Sequence, residues 1–150
     1  MTTGTKSAEI DIRDARLEDS TQLAELSGQL GYPSTAEQIR QRLKAIADFP
    51  ESAIFVAASG NKVAGFVGVQ VLHTLEADQR VEVTALVVLE EFRSQGVGKL
   101  LMVRAEEWAR SQRCTIIGLR SNVIRERAHS FYQRLGYEHL KTQKAFRKSL

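Results

Sequence analysis

Covalent and metal staples are almost absent from this chain. Cys114 is the one cysteine in 150 residues, so no intramolecular disulfide can close, and a reducing, cytoplasmic setting is expected. His73, His129 and His139 have no metal-ligand spacing with cysteine or acids, and no metal is expected. Nothing approaches the roughly 18 consecutive apolar residues of a membrane span, and the polar start from Met1 to Ser7 lacks the core of a signal peptide, so no membrane partner is expected. Charge of one sign is scarce as well. The net +3 comes from dispersed basic residues, which gives a nucleic-acid partner little support, and Lys141, Lys144, Arg147 and Lys148 read as a solvated face. There are 2 prolines, and no repeat, linker or low-complexity stretch divides the chain. What remains is 43% hydrophobic and 26% charged, the balance of one globular domain over residues 1–150 with 1–8 as a flexible tail.

Hydrophobic periodicity supplies the elements. Glu9 to Arg13 alternates like a half-buried strand, and Asp19 and Ser20 can cap a helix whose Leu23, Leu26 and Leu30 share a face and which stops at Gly31. After the Gly31-Tyr32-Pro33 turn, Ser34 to Glu37 fits a capping box for a helix with Ile39, Leu43, Ile46 and Ala47 as its stripe. Residues 53–58 and 63–71 read as a hairpin joined through Ser59 to Lys62, and the loop from His73 to Arg80 leads to a buried strand over 81–89. Apolar residues at Val97, Leu101, Ala105 and Trp108 then mark a helix following Gly98. A strand over Thr115 to Arg120 must pair in parallel with 81–89 by a right-handed crossover. A last helix carries Ile124, Ala128, Phe131 and Leu135, and two short strands are expected between Tyr137 and Leu150.

The junction between strand 81–89 and its helix carries the chemistry. Arg93, Gly96 and Gly98 build an anion site: glycine lets the backbone bend and approach a ligand, and a first helical turn presents amide donors at the positive end of the dipole. A nucleotide P-loop is excluded, since Leu100 follows Gly98-Lys99 where Ser or Thr is required. A dinucleotide fingerprint would need glycine at Leu101.

Arg93-Ser94-Gln95-Gly96-Val97-Gly98 resembles the pyrophosphate-binding motif of the GNAT superfamily of acyl-CoA-dependent N-acyltransferases, Gln/Arg-x-x-Gly-x-Gly/Ala. A second match comes from Ala128, Tyr132 and Gly136-Tyr137, spaced as in the family's late motif, and the resemblance covers residues 9–150. It implies an α/β fold with a mixed sheet of about seven strands and four helices, in which the two central parallel strands splay apart. Acetyl-CoA is the implied co-substrate. Its pantetheine arm would enter the splay against Leu86, Val87 and Val88, and its phosphates would rest on Arg93, Ser94, Gln95, Gly96, Val97, Gly98 and Lys99. Asn122, Arg125, Ala128 and Tyr132 complete the implied cofactor contacts. Two departures stand out: Glu90 where many members have proline, and Arg125 where many have asparagine.

Acyl transfer to an amine sets three requirements. An oxyanion needs a preorganised donor, for which the resemblance points to the Val88 amide. The amine must lose a proton, and Glu82 stands eleven residues before Arg93, where some members supply a carboxylate base; a solvated glutamate at a strand start is the other reading. Strand alternation puts Glu82, Thr84, Leu86 and Val88 on one face. The thiolate must gain a proton, and Tyr132 matches the family tyrosine that points at the sulfur, with packing as its other reading. Cys114, at an apolar strand edge without a matched histidine, reads as packing rather than as a nucleophile. The expected reaction is direct attack in a ternary complex on a small primary amine, held near Tyr32, Glu76, Asp78 and Glu82. Peptide acetylation and a non-catalytic acyl-CoA-binding module are the alternatives, and many proteins of this architecture form homodimers.

Overall fold

The structure is a computed structural model that describes residues 9–121 and 125–150. The expected tail 1–8, Asn122 and Ile124 lie outside the described residues. Contacts divide the chain into two compact units, one ending at Leu119 and the other spanning Arg120–Leu150.

The first unit grows from a β-branched hairpin. Strands β2 (Ser52–Ser59) and β3 (Lys62–Leu72) pair antiparallel around Gly60-Asn61, where Gly60 adopts φ +60°. β1 (Asp11–Asp14) joins the outer side of β2, and β4 (Arg80–Val88) joins β3, both antiparallel. The chain then crosses through α3 (Val97–Ser111) to β5 (Ile117–Leu119), which pairs in parallel with Val81 to Val83. The order is β1-β2-β3-β4-β5. β5 is shorter than its sequence suggests because Thr115 and Ile116 precede the parallel ladder; the Ile116 carbonyl accepts from the Val81 amide at 3.0 Å.

Two helices cover one face of this sheet. α1 (Ser20–Gln29) and α2 (Ala36–Ala47) bring Leu23, Leu26 and Ile39 against Val56, Val63, Phe66 and Val87. Neighbouring strand residues point to the other face. There α3 buries Val97, Leu101, Met102, Ala105 and Trp108, and Arg104 lies 4.2 Å from the centre of the Phe55 ring. Burial also takes up Cys114, which is 4% exposed. No described helix is long and apolar enough to cross a membrane.

Two capping expectations change. The box at the start of α2 is Thr35 with Gln38, not Ser34 with Glu37: the Gln38 amide donates to Thr35 Oγ1 at 3.1 Å and the Thr35 amide to Gln38 Oε1 at 2.9 Å. Asp19 precedes α1 but makes no side-chain cap. Its carboxylate is taken by Arg13 instead, through Nη1 at 2.8 Å and Nη2 at 3.0 Å, and by the Arg16 amide at 2.7 Å.

In the second unit, α4 (Glu126–Arg134) ends in a left-handed Gly136 at φ +94°. Its Gly136 amide donates to Gln133 and its Tyr137 amide to Tyr132, which satisfies the last carbonyls of the helix. The two strands expected after Tyr137 do not form. Residues 138–150 carry no helix or strand and are exposed, including Leu140 and Phe146. The described sheet therefore has five strands rather than about seven. Between those two apolar residues stand Lys141, Thr142, Gln143 and Lys144, too polar a run to give a strand a buried face of its own.

The Asp19–Arg13 pair ties the start of α1 to β1. Burial alone would raise the Asp19 pKa, but the bonds from Arg13 and from the Arg16 amide outweigh it and hold the carboxyl below its ordinary range. A lowered folded pKa adds stability above the unfolded value near 3.8, and that stability is lost as pH falls through the folded pKa. Asp19→Asn is expected to destabilise the chain by about 2–3 kcal/mol at neutral pH, the cost of unpairing charge-assisted bonds. In urea unfolding the difference from wild type should shrink as pH drops below about 4.

Candidate active site

The expected site residues of the first unit lie along one path, from β4 through a turn into α3. Strand β4 is not regular. Gly68 pairs with Ala85 while the next residue, Val69, pairs with Val83, so Thr84 is an extra residue in β4. A Cβ built on Gly68 would lie 2.6 Å from Thr84 Oγ1, so the glycine makes room for the bulged side chain.

The bulge corrects the expected facing. Glu82 pairs with Gln70 and so shares the α1/α2 face with Thr84, Ala85 and Val87. Leu86 and Val88 pair with Val67 and Gly65 and turn to the α3 face, where Leu101 Cδ1 would come within 3.2 Å of a Cβ on Gly65. Simple alternation fails here because one inserted residue reverses every later side chain. Val87, named with its neighbours as a cofactor contact, has its side chain buried in the core.

The same bulge sets the direction of the backbone. The Leu89 amide donates to Ala64 on β3 at 2.8 Å, so in an extended chain the groups of Val88 point the other way. Parallel pairing with β5 covers Val81 to Val83, whereas β4 runs on to Val88. The Val88 carbonyl accepts from Gln29 Nε2 at 2.8 Å on that side. Beyond Val83, β4 thus offers an edge whose amide and carbonyl groups face away from β3, as a splay of the two parallel strands requires.

After β4 comes a 3-10 turn (Glu90–Phe92), with Glu90 exposed in it. Ser94 then takes φ +64° and Gly96 φ +81°. Gly96 is the N-cap of α3 and makes no side-chain cap bond, so α3 starts at Val97 rather than after Gly98, which lies in its first turn. The first-turn amides of Val97, Gly98 and Lys99 have no side-chain cap at the positive end of a 15-residue helix. Arg93, Ser94, Gln95 and Lys99 have exposed side chains around them. Gln95 Nε2 donates to the Glu91 carbonyl at 3.0 Å, which steadies the turn. Cations and backbone donors together fit a diphosphate.

In the second unit, Arg125 precedes α4, and Ala128 and Tyr132 lie on it half-buried. The Tyr132 ring packs edge-on against Phe131 and Tyr137, at 5.2 and 6.1 Å between centroids. Burial pushes the Tyr132 phenol above its ordinary pKa, partly offset by Arg125, so it holds its proton at neutral pH. An open groove of about 730 Å³ is lined by Arg13, Arg16, Asp19 and Lys62 among others, and contains none of the expected site residues.

Sequence reasoning missed Thr84 and Gln29. Glycine inside a strand, as at Gly68, is a signal for a bulge. The bond from Gln29 to Val88, across 59 residues, has no sequence signature.

A family model described as Acetyltransferase (GNAT) family matches residues 18–137. Aminoalkylphosphonate N-acetyltransferase of Salmonella typhimurium is 34% identical over 84 residues, covering 55% of this chain and 54% of that protein. The chain thus spans about half the length of that curated relative. A GNAT family acetyltransferase structure from Staphylococcus aureus superposes with a TM-score of 0.74 at 28% identity, covering 94% of this chain and 98% of that one. An aminoglycoside N-acetyltransferase, solved in complex with CoA, has the same fold with a TM-score of 0.84 at 20% identity, covering 97% and 98%.

The packing of Gly68 under Thr84 can be tested directly. Gly68→Ala is expected to destabilise the chain by about 1–3 kcal/mol through overpacking. Adding Thr84→Ala should recover most of that loss, so the two changes should be strongly non-additive in denaturant unfolding. Additive effects would mean that the two side chains do not meet.

Proposed function

Because the chain belongs to the GNAT acetyltransferase family, matched over residues 18–137, we propose that it transfers an acetyl group from acetyl-CoA to a small primary amine by direct attack in a ternary complex. The observation that carries this reading is the end of β4, turned outward by the Thr84 bulge, followed after one 3-10 turn by an uncapped helix with a glycine at its N-cap. The edge at Leu86 and Val88 suits an extended arm bearing amides, and the turn from Arg93 to Lys99 suits its phosphates. Asn122, Arg125 and Ala128 are assigned as further cofactor contacts.

Three groups divide the chemistry. The Val88 N–H stabilises charge on the thioester oxygen during attack. Glu82 accepts the amine's proton from the α1/α2 face of the sheet, the face opposite to the one taken by the Val88 side chain. Tyr132 gives a proton to the departing thiolate, a role supported by a phenol that burial keeps protonated. Cys114 is buried and takes no part, so no covalent enzyme intermediate is needed. The acceptor is small and cationic, since Glu76 and Asp78 are exposed beside Arg80 and no long acidic run exists for a lysine-rich tail. The reaction belongs to the reducing cytoplasm, and pairing of two copies into a homodimer is compatible with it.

Saturating CoA or acetyl-CoA should raise the melting temperature, and calorimetry should show heat of binding. No shift and no heat would reject the cofactor assignment. Initial rates on matched panels of small amines and lysine-rich peptides decide the acceptor, and peptide turnover without small-amine turnover would overturn that part.

Two substitutions separate the proton transfers. Tyr132→Phe should keep cofactor affinity, lower kcat by roughly 10²-fold, and remove an alkaline limb lying above the ordinary phenol pKa of about 10. Glu82→Gln should lower kcat/KM.

A further inference from the structure

We propose that Gln29 is a positioning residue for acyl transfer, holding the end of β4 to the end of α1 so that the Val88 amide and the loop after α1 keep one fixed relation. This rests on the reading of the β4 edge as the place where the thioester carbonyl is bound. Gln29 is the last residue of α1, and the helix closes behind it through a left-handed Gly31 at φ +95°. The Gly31 amide donates to Gly28 and the Tyr32 amide to Ser27, each at 3.0 Å, a double closure that fixes Tyr32 relative to Gln29. The Tyr32 ring is 65% exposed just beyond. Packing does not account for Gln29 itself: Leu23 and Leu26 bury the helix against the sheet, whereas Gln29 is exposed. What its side chain does is donate to the Val88 carbonyl at 2.8 Å.

That carbonyl and the Val88 amide leave the strand on the same side. On the opposite side Val88 is tied to β3 by its pairing with Gly65 and by the Leu89 amide on Ala64. On the outer side the β5 ladder has ended at Val83, so Gln29 does there what a neighbouring strand does elsewhere. Without it, the peptide at the end of β4 loses its outer restraint at the point where a donor must be aimed to within a fraction of an ångström. The loop carrying Tyr32 loses its link to that edge in the same step.

Gln29→Ala is expected to leave the affinity for free CoA within about twofold, because CoA has no thioester carbonyl, and to lower kcat about ten- to a hundredfold, the usual effect of a misplaced group. Gln29→Lys, which keeps a donor of similar reach, should restore most of the rate, and Gln29→Glu, which sets an acceptor against the carbonyl, should not. Infrared spectroscopy of bound acetyl-CoA supplies a readout that general loosening would not mimic. The thioester carbonyl band should be shifted to lower frequency in wild type and Gln29→Lys, and less so in Gln29→Ala at equal occupancy. Wild-type kcat and an unchanged band in Gln29→Ala would overturn the proposal while leaving the site assignment intact. Failure of the wild type itself to bind acetyl-CoA would remove both.

Discussion

One inserted residue governs the rest of the site. With Thr84 squeezed into β4 opposite a Gly68–Val69 step, the strand changes phase halfway along. Upstream of the bulge, the Val81 amide serves the β5 ladder. Downstream, the strand has outlived that ladder, yet the phase change still turns the groups of Val88 toward the vacated side. Had β4 stayed regular, position 88 would have its amide toward β3, and its side chain rather than that of Val87 would face the α1/α2 core.

The neighbours of the bulge are chosen to tolerate it. A methyl on Gly68 would meet Thr84 Oγ1, and one on Gly65 would come within 2.6 Å of the Val87 carbonyl. Both positions on β3 are therefore bare, although glycine weakens a strand interior. Gly65 also lets Leu101 of α3 come down onto the sheet, which brings the start of that helix close to the end of β4. The strand edge and the turn into α3 thus depend on two missing side chains, Gly68 on the α1/α2 face and Gly65 on the α3 face.

Much of the fold was legible because burial leaves periodic marks. The stripe of α3, the hairpin and the parallel crossover follow from Val97, Leu101, Ala105 and Trp108 and from the β-branched runs. The turn at Arg93 to Lys99 was legible for another reason: its glycines and cations are local in sequence. Three features resisted. The capping pair slid by one residue because Thr35 and Gln38 offer the same chemistry as Ser34 and Glu37. The Asp19 carboxylate went to Arg13, a competition no local pattern reveals. The facing of Leu86 and Val88 depended on a partner strand, and register is a property of two segments that neither displays alone.

The division of labour in β4 also explains why no side-chain nucleophile stands out in the sequence. Along Leu86, Val87 and Val88 the side chains are apolar, Val87 buried in the core and its neighbours half-buried, and only main-chain groups remain to hydrogen-bond a ligand on the strand edge. In the proposed reaction those groups suffice, since a thioester is already activated and its attack by an amine needs orientation and charge stabilisation more than a new covalent bond. Backbone donors do not titrate and do not depend on residue type, so such an edge can stay apolar in sequence. Its accuracy must then come from whatever restrains the peptide plane. On the inner side that restraint is β3, and on the outer side it is a single amide side chain at the end of α1. A site built this way places its most position-sensitive interaction on a residue, Gln29, that takes no part in the chemistry.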